Sequence, residues 1–217
     1  MRFIDKTVLV TGGGGGIGSA TVERFASEGA NVFLMDKNEN HVAQTQDTLE
    51  EKGISVRALV GDVTALIDLE KIYDLIMKEG GGVDVVVNVA GGSRAGYVTT
   101  LDPDDWDDLY ALNLKSTINS CRLAVEQMTP KGKGSIVNMS SISGLRGDPG
   151  WAAYNAQKAA IINFTECLAW EVGTLGIRVN AVCPGPIASK RMISTLPTGG
   201  GFQDAYDKAC AIDRKSV

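Results

Sequence analysis

Residues 8–20 read VLVTGGGGGIGSA, with five consecutive glycines from Gly12 to Gly16. A glycine run is the usual composition of a flexible linker, but a linker separates domains. This one lies near the start of the chain, between the apolar run TVLVT (7–11) and a helical pattern with Ile17, Ala20 and Phe25 on one side. Glycine at a strand-to-helix turn permits positive φ. It also lets a backbone approach a ligand and lets the helix pack closely on the strand. The N-terminus of the following helix offers free N–H groups and about half a positive charge to a pyrophosphate. The run is therefore read as a phosphate cradle.

Outward from the cradle, short β-branched runs alternate with longer helical stretches. Strands are expected at 7–11, 31–36, 55–62, 83–91, 134–141 and 177–185, and helices near 17–29, 39–52, 65–79, 104–129 and 150–175. Several strand runs are continuously apolar, which suits strands buried on both faces and hence a parallel sheet. The βα order predicts an α/β fold: a doubly wound, Rossmann-type parallel sheet with helices on both faces. Residues 1–217 are expected to form a single dinucleotide-binding and catalytic domain, with a flexible substrate loop near 186–205. In such sheets ligands bind beyond the carboxyl ends of the strands.

Composition narrows the function class. The 217 residues carry a net charge of −5, with lysine and arginine scattered, which argues against nucleic acid or an anionic membrane as partner. No apolar run approaches the roughly 20 residues that span a bilayer, and the N-terminus has no signal-peptide pattern, so the cytoplasm is expected. Cysteines 121, 167, 183 and 210 stand far apart from each other and from His41. No metal site is expected, and the thiols read as reduced. His41 reads as a solvated helix-start residue.

The second strand ends in Asp36, about 20 residues past the glycines, where a carboxylate can accept hydrogen bonds from an adenosine ribose. It would repel a 2′-phosphate, and the glycine run holds no cation to bind one, so NAD is preferred over NADP. Lys37 beside it is the counter-signal, and an ordinary turn aspartate is the rival reading. Further along, YNAQK places Tyr154 and Lys158 on one helical face. Lowering a tyrosine from about 10 to near 7 takes about 3 pH units, roughly 4 kcal/mol. A lysine ammonium about 4 Å away supplies a similar amount at an effective dielectric near 20. A serine at the end of the fifth strand, Ser140 or Ser141, could then hold the substrate oxygen that exchanges the proton.

Taken together these motifs resemble the short-chain dehydrogenase/reductase family, over about residues 4–190. TGGGGGIG (11–18) matches its T-G-x-x-x-G-x-G motif at Gly12, Gly16 and Gly18, with Ile17 between. GDV (61–63) matches an adenine-contacting strand end through Asp62 and Val63. NVAG (88–91) resembles N-N-A-G, with Asn88, Ala90 and Gly91 in place. PGPI (184–187) matches its P-G motif through Pro184 and Gly185, with the Ile187 backbone toward the carboxamide. The resemblance implies Tyr154 as general acid/base, Lys158 as tyrosine activator and ribose ligand, Ser141 as substrate-orienting hydroxyl, and Asn113 as anchor of a proton-relay water. Spacing favours Ser141 over Ser140. It further implies hydride transfer between a nicotinamide and a small alcohol or ketone, in a homodimer or homotetramer.

Three positions depart from the pattern. Val89 replaces the second asparagine of N-N-A-G. Ser189 stands where threonine is frequent and could make the same carboxamide bond. The chain stops at CAIDRKSV, before the family's last helix and strand, which leads to the expectation of a shortened C-terminus. Three readings follow: an NAD-dependent oxidoreductase of secondary alcohols and ketones, a 3-oxoacyl-thioester reductase-like enzyme, or a non-catalytic NAD-binding module. The pocket is expected from segments 92–97, 142–151 and 186–205, where Arg94 and Arg146 either meet a substrate carboxylate or phosphate, or are solvated.

Overall fold

The structure, a computed structural model, describes residues 1–187. Ser189, Cys210, most of the expected substrate loop and the C-terminal end lie outside the described residues. Six strands form one sheet: β1 (Thr7–Thr11), β2 (Asn31–Asp36), β3 (Arg57–Val60), β4 (Val85–Asn88), β5 (Gly134–Met139) and β6 (Ile177–Val182). All pairings are parallel and the order is β3-β2-β1-β4-β5-β6. The helices between them are α1 (Gly16–Ser27), α2 (Glu39–Glu50), α3 (Leu66–Gly80), α4 (Pro103–Tyr110), α5 (Ser116–Met128) and α6 (Ala152–Val172).

Alternate residues of one strand feed two different cores, which is why the strands read as unbroken apolar runs. Leu9, Phe33, Val86 and Ile136 pack with Leu69, Ile72 and Tyr73 of α3 and Ala124 and Met128 of α5. Val8, Val10, Val32 and Leu34 face the other way, onto Val22 of α1 and Val42 and Leu49 of α2. This is the doubly wound arrangement expected from the sequence.

The strands stop earlier than their apolar runs. β3, β4, β5 and β6 end at Val60, Asn88, Met139 and Val182. The residues beyond leave the ladder to line the crevice at the strand ends. Chain direction across the sheet reverses between β1 and β4, so their carboxyl ends form the switch point where a ligand crevice opens.

The expected helix 104–129 is broken. Residues Ala111–Lys115 form a π-helical turn between α4 and α5. Such turns carry an energetic penalty that local sequence does not explain, and they concentrate at functional sites.

Candidate active site

The cradle is tighter than the three-glycine motif implies. Gly12 has φ +67°, and a Cβ there would lie 2.7 Å from Ala90 N at the end of β4. A Cβ on Gly18 would lie 2.0 Å from Gly12 O. Gly13 and Gly14, which the motif leaves variable, are constrained as well. Added Cβ atoms would come 2.7 Å from Leu34 Cβ and 2.7 Å from His41 Cβ respectively. Gly15 meets only Gly12 O, at an ordinary 3.4 Å. Gly15 caps α1 without a side-chain hydrogen bond, and Gly16 and Ile17 open the helix. The first-turn N–H groups are therefore directed at the crevice without a protein side chain to satisfy them.

Asp36 is held at the mouth of the cradle. One carboxylate oxygen accepts from Gly14 N at 3.2 Å, the other from Asn38 N at 3.0 Å. Lys37 turns toward Asp62, 3.9 Å away. Asp62 in turn accepts from Thr64 N and Oγ1 at 2.9 and 2.8 Å. Val63 is buried in the core, so it can meet a ligand only through its backbone. His41 is exposed in the first turn of α2, where its N–H donates to Asn38 Oδ1.

Asn88 is also buried. Its side-chain amide donates to Asn138 Oδ1 at 2.9 Å, and Asn138 donates onward to Thr165 Oγ1 at 3.0 Å. These polar groups tie β4, β5 and α6 together beneath the crevice, so Asn88 supports the site from inside the sheet rather than presenting its side chain to it. Ala90 N bonds Thr11 Oγ1 at 3.4 Å, linking the ends of β4 and β1. At the far side, Ile142 N donates to Pro184 O at 3.1 Å. The chain after Gly185 brings Ile187 alongside Gly16 and Ile17, where they line a hollow of about 410 Å³.

The four expected catalytic residues come from three elements. Asn113 sits in the π turn, fully buried. Its Oδ1 accepts from Gly92 N at 3.0 Å, and its Nδ2 donates to Gly92 O at 2.9 Å and Leu109 O at 3.1 Å. A Cβ on Gly91 would lie 2.9 Å from Asn113 Oδ1 and 3.5 Å from Lys158 Nζ, so the β4 end, the π turn and α6 converge at one point.

Lys158 is 4% exposed, and its ammonium donates to Met139 O at 2.8 Å. Burial pulls its pKa down to about 8, against a smaller opposing effect from Cys183. The same ammonium stands 5.7 Å from the ring centroid of Tyr154, one helical turn earlier. Trp151 meets that ring edge-on, 6.3 Å between centroids.

The two serines divide their roles. Ser140 is buried and donates to Lys158 O at 2.7 Å, fastening α6 to the end of β5. Ser141 is half-buried, and its Oγ accepts from Ser143 N at 3.1 Å. The hydroxyl proton of Ser141 is left for a ligand oxygen. The arrangement can thus hold a carbonyl or alcohol oxygen between a hydroxyl donor and a tyrosine beside a buried cation.

A family model described as short chain dehydrogenase matches residues 6–198. The chain belongs to that family. It is accordingly an oxidoreductase acting on CH–OH groups. This short-chain dehydrogenase is 37% identical over 198 residues to the 7alpha-hydroxysteroid dehydrogenase of Bacteroides fragilis, covering 90% of this chain and 76% of that protein. It is 36% identical to the 3-oxoacyl-acyl-carrier-protein reductase FabG of Thermotoga maritima, covering 91% and 80%. Among solved structures it resembles an NAD+-bound xylitol dehydrogenase, with TM-score 0.82 and 34% identity over 85% of this chain and 72% of that one. The family's cofactor is NAD or NADP, and its solved members include an NAD+ and an NADPH complex.

The residues of this dehydrogenase fit such a dinucleotide. The side-chain-free run Gly12–Gly16 leaves the α1 N-terminus open, and Asp36 is fixed where it can accept hydrogen bonds. No helix among the described residues is long and apolar enough to cross a membrane.

Two contributors escaped the sequence reading. Gln157 is buried with its amide 3.0 Å from that of Asn113, at the break between α4 and α5. Its position directly before Lys158 was the available signal. Asn138, in the middle of the buried polar chain, was signalled only by a polar residue inside an apolar strand.

Proposed function

We propose that the chain is an NAD-dependent oxidoreductase interconverting a secondary alcohol and a ketone, with Tyr154 as general acid/base. The observation that carries this reading is the buried Lys158 ammonium facing the Tyr154 ring at 5.7 Å. A cation in a poorly solvated site lowers the free energy of a tyrosinate and so equips the phenol to exchange a proton near neutral pH. Ser141, whose Oγ accepts from Ser143 N, would donate its hydroxyl proton to the substrate oxygen with which Tyr154 exchanges a proton. Asn113, locked to Gly92 and Leu109, fixes the π turn beside Lys158, where a water relaying protons outward would sit.

When bound, the dinucleotide supplies the hydride donor or acceptor. Gly12, Gly16, Ile17 and Gly18 would hold its phosphates, Asp36 the adenosine ribose, Asp62 and Val63 the adenine, Ala90 and Gly91 the crevice wall, and Pro184, Gly185 and Ile187 the nicotinamide side. Tyr154 and Lys158 would also meet the nicotinamide ribose, and Ser189 would meet the carboxamide. NAD rather than NADP is supported by the pinned Asp36 carboxylate and by Lys37 being turned to Asp62. The runner-up, 3-oxoacyl-thioester reduction, draws on the FabG relative.

A homodimer is proposed through α4 and α6, where Trp106, Tyr110, Leu114, Ala153 and Ala156 border an outward hollow of about 310 Å³. Cytoplasm is the proposed compartment, consistent with free Cys121, Cys167 and Cys183. The test is turnover of secondary alcohols with NAD, followed at the reduced-nicotinamide absorbance, alongside calorimetric titration of NAD. Turnover with NAD at a higher kcat/KM than with NADP is expected. Binding of NAD with no turnover of any alcohol or ketone would contradict the reading.

A further inference from the structure

Two segments expected to line the substrate pocket, and so to form its rim, are joined to each other. Gly96 N donates to Gly150 O at 2.8 Å, clasping residues 92–97 to residues 144–151. Large apolar side chains flank this clasp and remain in water: Tyr97 at 66%, Val98 at 67%, Leu145 at 66% and Trp151 at 37% exposure. Trp151 leans edge-on against the Tyr154 ring. Apolar groups clustered at a concave polar site mark a surface that a ligand covers.

The cations of the same rim are already matched. Arg94 is ion-paired to Asp105 in the first turn of α4. Arg146 lies 3.7 Å from Asp148, which also accepts from Ser143 Oγ at 3.5 Å. Such exposed pairs contribute little to stability but offset charge locally. Each rim arginine thus has an aspartate beside its guanidinium, and a substrate carboxylate or phosphate would compete with that aspartate. An anionic substrate would meet two aspartates there, whose charge offsets the attraction of the two arginines.

We infer that the site takes an uncharged secondary alcohol or ketone with a bulky apolar body, and that Asp105 and Asp148 set this specificity by neutralising Arg94 and Arg146. The inference rests on the oxidoreductase reading above and narrows its substrate.

The test uses the full chain with NAD and pairs of cyclic secondary alcohols that differ only in carrying a methyl ester or the free carboxylate. The ester is expected to exceed its carboxylate twin in kcat/KM by about tenfold or more. In the Asp105→Asn/Asp148→Asn double variant the ratio is expected to fall severalfold, because both arginines become available to the anion. Equal or faster turnover of the carboxylate, or a ratio unmoved by the double variant, overturns the inference alone. Should that variant not fold, Leu145→Ala and Trp151→Ala decide it. Each is expected to raise KM for the cyclic ester by about tenfold more than for a short-chain secondary alcohol, and equal effects overturn the inference. Absence of turnover with every substrate and either dinucleotide overturns the oxidoreductase reading itself.

Discussion

Lys158 Nζ donates to the Met139 carbonyl at 2.8 Å, which seats a primary amine at the end of β5 with almost no contact with water. Burial lowers its pKa to about 8, below the unfolded value of about 10.4. Between those values the unfolded chain binds more protons than the folded one, so stability rises with pH across that window. Below about 8 the folded protein carries the full cost of a buried charge. Lys158→Met is therefore expected to stabilise the protein at pH 7 by on the order of 2 kcal/mol, after allowing for the lost hydrogen bond. The advantage should shrink above about pH 8 and vanish near pH 10, while turnover is lost. Urea denaturation at several pH values checks this, and a less stable variant at pH 7 would count against it.

Asn113 should behave differently. Its amide satisfies both backbone groups of Gly92 and reaches Leu109 O inside the π turn, all out of water. Asn113→Leu strands those groups and is expected to cost about 3 kcal/mol, with activity falling about a hundredfold or more. Chemical denaturation and kcat measured on the same preparation test the two effects together.

The glycine run offers a steric test. Gly14→Ala forces a Cβ against His41 and is expected to cost about 1–3 kcal/mol. Gly15→Ala meets only an ordinary contact and should stay within about 1 kcal/mol. Similar melting temperatures for the two variants would show that Gly14 is not packed as described.

Cofactor choice depends on Asp36. Asp36→Ala combined with Gly15→Arg removes the carboxylate and places a cation at a position of the run with room for it. The ratio of kcat/KM for NAD to that for NADP is expected to fall about a hundredfold, the scale of losing one charge repulsion and gaining one phosphate contact. An unchanged ratio would remove Asp36 from the ribose site.

The strands were legible because residues such as Val8, Leu9 and Val10 are all buried, alternately in two cores, and leave an unbroken apolar signature. The π turn was not legible, since Ala111–Lys115 continues the helical pattern of its neighbours. What stabilises the break is tertiary: Asn113 bonds to Gly92, 21 residues earlier, and packs on Gln157, 44 residues later. Ser140 and Ser141 show the same limit. Spacing favours Ser141 over its neighbour, but only the folded contacts show why: they give Ser140 to Lys158 O and leave Ser141 toward the crevice. The rim arginines were left with two readings in the sequence, and their partners Asp105 and Asp148 appear only once the segments fold.

In the proposed reaction Tyr154 carries the proton while the rest of the site holds and polarises. Tyr154→Phe removes one oxygen and keeps the ring against Trp151 and Lys158. Turnover of a secondary alcohol and NAD affinity should be measured on the same variant. A loss of kcat of about a thousandfold or more is expected, with the Kd for NAD changed by less than about threefold. A variant that keeps more than about a tenth of its turnover would exclude Tyr154 as the general acid/base.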